Sequence, residues 1–82
     1  MKTVTRLVKF RRGVRQVDFT ECDKKFGHSR LIGTAKVENS DALVEVFKTQ
    51  KSYCARVKAG RLYLHYFAAT PGNAFAGATR HL

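Results

Sequence analysis

Between residues 31 and 67, apolar and polar side chains alternate at period two, and short Asn, Ser, Asp or Ala-Gly breaks interrupt the alternation at regular intervals. Successive side chains of a strand point to opposite faces, so this pattern predicts antiparallel strands with one buried face, joined by short turns.

A two-residue connection at Ala59-Gly60 sets Val57 opposite Leu62, Ala55 opposite Leu64 and Tyr53 opposite Tyr66. These six side chains then share one face, and Cys54, Arg56, Lys58, Arg61, Tyr63 and His65 occupy the other. A second connection at Gln50-Lys51 sets Val46 against Ala55 and Val44 against Val57, with Glu45 across from Arg56 as a charge pair on the outer face. A four-residue loop over 38–41 continues the register, bringing Ala35 opposite Val44 and Gly33 opposite Val46, where a bulge is expected.

Two less regular strands precede these, over 3–10 and 14–20, joined around Arg12-Gly13; Val4, Val8 and Phe10 share a face with Arg6. Residues 22–30, with Asp23, Gly27 and Ser29, read as a loop. The rival to the meander is an α+β chain with a helix at 41–51, capped by Ser40 and burying Leu43, Val46 and Phe47. Against it, Val44, Val46, Phe47 and Thr49 favour a strand and no glycine closes the helix. The expectation is a mostly β domain over 1–67, an antiparallel meander of five or six strands, with closure into a small barrel as the way to leave few edges open. Residues 68–82, dominated by Ala, Gly and Thr with Pro71 and Asn73, read as a mobile C-terminal tail that Phe75 could anchor.

The chain has 82 residues, enough for one domain with a modest core, and 44% hydrophobic residues, enough to fold. Sixteen Lys and Arg against six Asp and Glu give a formal charge of +10, which opposes compaction and points to a polyanionic partner. Lys2, Arg6, Lys9, Arg11, Arg12 and Arg15 have no acid among them, and Lys48, Lys51, Arg56, Lys58, Arg61 and Arg80 follow Glu45 without one. No run approaches the roughly 20 apolar residues of a spanning helix, and the first residues lack the apolar run of a signal peptide, so the expected setting is cytoplasmic, away from membranes. Cys22 and Cys54 are too few for a disulfide framework and are expected as free thiols.

The outer face of residues 53–67 is the best-defined candidate site: Arg56, Lys58 and Arg61 surround Tyr63 and His65, and single-stranded nucleic acid needs both cations for phosphates and flat rings for unpaired bases. Lys9, Arg11, Arg12 and Arg15 form a second cluster at a hairpin tip, able to straddle a phosphate backbone. The first functional expectation is thus a nucleic-acid-binding module of low sequence specificity, working without a cofactor. The second is an accessory protein that docks on an acidic surface of a larger protein and inhibits or redirects it, with Phe10, Phe47, Phe67 and Phe75 as anchors. The third is a small ribonuclease using Arg56, Arg61, Tyr63 and His65, with His65 as the acid–base group; it lacks a second base apart from Glu45, which Arg56 occupies. Cys22, His28, Cys54 and His65 could in principle ligate zinc, but their intervals are not those of a finger or ribbon, and no metal is expected. Phosphate loops, paired carboxylates, helix-turn-helix patterns and RNA-recognition-motif strands are absent.

Overall fold

The computed structural model describes residues 2–80 and 82. The alternating segments form six antiparallel strands in chain order, β1 (Thr3–Phe10), β2 (Gly13–Phe26), β3 (Ser29–Val37), β4 (Leu43–Lys48), β5 (Tyr53–Ala59) and β6 (Leu62–Ala68), followed by one helix, α1 (Pro71–Ala78). Each strand pairs with the next, so the meander is confirmed.

The register from β3 to β5 is the expected one: Ala35 faces Val44, Gly33 faces Val46, Val44 faces Val57, Val46 faces Ala55 and Glu45 faces Arg56. A bulge does fall beside Gly33, with Ile32 as the extra residue between β3 and β4. The helix considered for 41–51 does not form, because Val44 and Val46 are held between β3 and β5 and buried there; Ser40 caps only a turn, its hydroxyl accepting from Ala42 N at 3.1 Å.

Three expectations are corrected. The β5–β6 register differs by two residues: Ala59 pairs with Leu62, Val57 with Leu64, Ala55 with Tyr66, Arg56 with His65 and Cys54 with Phe67. The two loop residues are therefore Gly60 and Arg61, which puts Gly60, at φ +59°, in the first loop position, where a hairpin turn of type II′ requires positive φ. A shift of two leaves the strand side chains on their expected faces and changes their neighbours, but it moves Arg61 from the outer face into the turn.

The segment 22–30 is not a loop. β2 runs on to Phe26, turns at Gly27-His28 and returns as β3, and a bulge between Glu21 and Lys24 accommodates the two residues that break the period-two pattern. Finally, the sheet is not closed into a barrel, and β1 and β6 remain its edges. The helix is what covers the inner face instead, and it comes from the segment read as a mobile tail.

Thr70 caps that helix, its hydroxyl accepting from Asn73 N at 3.1 Å, and Pro71 occupies the first turn, where its missing N–H costs nothing. At the other end Thr79 Oγ1 donates to Phe75 O at 2.8 Å. Ala74, Phe75 and Ala78 are buried and join Val17, Ala35, Val37, Val44, Val46, Ala55 and Val57 of the inner sheet face in one core. Phe75 meets Phe19 edge-on, with ring centroids 5.0 Å apart. The small residues let the helix lie low: a Cβ added to Gly77 would fall 2.2 Å from the Tyr66 ring. Among the described residues, no helix is long and apolar enough to cross a membrane.

If this close approach sets the helix position, Gly77→Val lowers stability by about 2 kcal/mol through overpacking, a drop of roughly 10 °C in Tm. Thermal denaturation followed by circular dichroism checks it, and Tyr66→Ala in the same chain should recover part of the loss by vacating the space.

Candidate nucleic-acid interface

With the inner-face core covered by α1, the outer face of β4, β5 and β6 is left to solvent. Pairing places its side chains in three rows: Leu43, Lys58 and Tyr63; Glu45, Arg56 and His65; and Phe47, Cys54 and Phe67. Lys24 and Leu31 extend the third row onto β2 and β3. The bulges at Cys22-Asp23 and Ile32 accompany a β2–β3 end in which Phe26 meets Phe47 edge-on at 5.9 Å. Phe26, Ser29, Phe47, Thr49, Cys54, Arg56, His65 and Phe67 line a shallow depression of about 340 Å³.

Flat rings remain accessible here. Phe67 is 64% exposed, Tyr63 51% and Phe26 44%, and His65 is exposed beside them. Cations stand over several of these rings: Arg56 lies 5.2 Å from the Phe47 centroid and 6.0 Å from that of Tyr63, Lys58 is 5.6 Å from Tyr63, and Lys24 is 5.4 Å from Phe26.

Arg56 is the organising group. Its Nε and Nη2 donate to Glu45 Oε1 at 2.9 and 2.6 Å, and its Nη1 donates to Tyr63 Oη at 3.4 Å. Tyr63 Oη in turn lies 3.4 Å from His65 Nε2. The hydrogen bond to Glu45 is the main reason the guanidinium is held above its ordinary pKa, so the side chain stays cationic. Arg56 is therefore an engaged cation, whereas Lys24, Lys36 and Lys58 on this face, and Arg61 in the turn, make no salt bridge among the described residues.

The structure thus brings Arg56, Lys58, Tyr63 and His65 together, with Arg61 at the end of the hairpin. It does not bring the second basic cluster to them. Lys9 and Arg15 lie on β1 and β2, Arg11 and Arg12 form the turn between these strands, and Arg15 sits over Phe10 at 6.0 Å on the inner side. At about 4.8 Å per strand, β1 is some 24 Å from β6. Lys9, Arg11 and Arg80 border a groove of about 390 Å³ with Phe10 and Phe75 at its base, but both rings are buried and offer no stacking surface. That burial removes Phe10 and Phe75 as docking anchors, while Phe47 and Phe67 lie on the outer face as expected.

Lys24, Phe26 and the depression escaped sequence reading, because the bulge hid the strand that carries them; Phe26 falling three residues short of Ser29 with Gly27-His28 between was the available hairpin signal. The register correction moves His65 away from Cys54, and no group of three or more His, Cys, Asp or Glu side chains suited to a metal occurs among the described residues. Both cysteines are free thiols.

No protein-family model, curated protein or solved structure matches the chain.

Burial pushes the Cys54 thiol up, and burial reinforced by Asp23 and Glu45 does the same for Cys22. A raised thiol pKa means less thiolate at pH 8, and the thiolate is the reactive form. Ellman's reagent should therefore react more slowly with both thiols in the native chain than in urea, and most slowly with Cys54, which is buried where Cys22 is half-buried.

Proposed function

We infer that the protein binds single-stranded nucleic acid, with low sequence specificity, on the outer face of β4–β6. The observation that carries this reading is the coincidence of Tyr63, His65 and Phe67, exposed on one strand, with Lys58 and the Arg56 guanidinium on the next strand. Bases stack on such rings only when they are unpaired, and the surrounding cations neutralise the phosphates between them. Phe26 and Phe47 widen the platform across the depression.

The net charge of +10 strengthens the encounter and predicts salt dependence. If Lys24, Lys36, Lys58 and Arg61 each engage a phosphate, the log–log slope of affinity against salt is about −3 for a single strand. An acidic protein surface would also feel these charges, but it has no need of flat, accessible rings.

Fluorescence anisotropy with labelled oligodeoxythymidine and with a matched duplex separates the two. The single strand should bind more tightly than the duplex, with a slope near −3. Tyr63→Ala and Phe67→Ala should each cost about 1–3 kcal/mol, or roughly 5- to 150-fold, in single-strand affinity. Equal affinity for duplex and single strand, untouched by the two substitutions, would reduce the face to a polar surface.

A further inference from the structure

The corrected register does more than align rings. It puts His65, on β6, directly opposite Arg56, which is itself opposite Glu45 on β4. A carboxylate, a guanidinium and an imidazole therefore stand in one row across three strands. Neighbouring strands are about 4.8 Å apart, so the Glu45 and His65 backbones are on the order of 10 Å apart with Arg56 midway. Both outer groups can reach an anion seated over Arg56, and from opposite sides.

We propose that this row cleaves RNA by transesterification, with Glu45 and His65 as its catalytic residues; the proposal rests on the outer face being the nucleic-acid site. Cleavage of this kind needs a base beside the ribose 2′-hydroxyl, an acid beside the departing 5′-oxygen, and positive charge at the phosphorus between them. The attacking and departing oxygens lie on opposite sides of phosphorus, so the base and the acid must flank the cation.

Glu45 can serve as the base although it is paired. Arg56 directs both Nε and Nη2 at Oε1, and Oε2 has no hydrogen-bond partner among the described residues. Glu45 Oε2 takes the proton of the 2′-hydroxyl as the O2′–P bond forms. The protonated imidazole of His65 gives its proton to the 5′-oxygen as the P–O5′ bond breaks. The products are a 2′,3′-cyclic phosphate and a 5′-hydroxyl, and solvent water returns each residue to its starting protonation state. No metal or second reactant enters.

Arg56 supplies the charge that stabilises the pentavalent phosphorus. Tyr63 is a positioning residue, held between Arg56 Nη1 and His65 Nε2 at 3.4 Å from each. Arg56 and His65 also line the aromatic depression, so a base lodged among Phe26, Phe47 and Phe67 would leave a neighbouring phosphate beside the row. The substrate is single-stranded RNA, since DNA carries no 2′-hydroxyl and a paired base cannot enter the depression.

The test uses labelled oligouridylate with excess EDTA, product analysis for 2′,3′-cyclic ends, and in parallel the binding of the uncleavable 2′-deoxy strand. The wild-type chain should yield cyclic ends. Glu45→Gln, whose amide oxygen can still accept from Arg56, and His65→Ala, at an exposed position, should each slow cleavage at least about 100-fold. The wild-type chain should bind the 2′-deoxy strand and leave it intact. Binding without cleavage by the wild type overturns the proposal and leaves the nucleic-acid reading standing; so does cleavage that survives both substitutions, which marks a contaminating nuclease. Failure to bind either strand overturns both.

Discussion

Burial of α1 against the inner face of the sheet is the contact on which the rest of the structure depends. A single six-stranded sheet has two faces, and α1 covers one of them. Ala74, Phe75 and Ala78 close the inner face over Val44, Val57 and their neighbours. Had the strands curled into a barrel, the same inner residues would have met each other and the edges would have vanished. The helix instead covers the middle of the inner face and leaves the outer face to solvent. Every feature of the candidate site belongs to the solvent side.

On that side the chain carries aromatic rings and cations together on a rigid scaffold. The Glu45–Arg56 pair is half-buried and contributes about 1 kcal/mol or less to stability once desolvation is offset. Its larger effect is geometric. By fixing Nε and Nη2 on one carboxylate oxygen, it aims the guanidinium across the strands, over Phe47 and toward Tyr63. The lysines around it, which make no salt bridge among the described residues, carry long side chains that suit a phosphate backbone in varied positions.

Much of this was legible in the sequence wherever the period-two pattern ran unbroken. Residues 33–57 revealed their strands, partners and faces, because short polar loops and alternating valines leave one register that buries the apolar side. Parity protected the assignment of Tyr63, His65 and Phe67 to the outer face, although their partners were displaced by two residues. What decided the displacement was the backbone demand for Gly60 in the first loop position, which hydrophobic matching does not sense. The β2 extension was hidden because Cys22 and Asp23 shift the alternation out of phase. The helix was hidden because its buried stripe is two alanines and one phenylalanine, too small to register as a periodic apolar face, and its Thr70-Pro71 start resembles a turn. The row of Glu45, Arg56 and His65 depended on the displaced register, so it became visible only with the fold.

The most direct test of the account is a ¹H–¹⁵N correlation titration of the labelled protein with oligodeoxythymidine, following each backbone amide. Shifts concentrated on β4, β5, β6 and the Phe26–Ser29 turn, with α1 and the β1–β2 turn unmoved, would establish the outer face as the nucleic-acid surface. Shifts confined to Arg11, Arg12 and the end of α1 would contradict it and transfer the site to the opposite edge of the sheet.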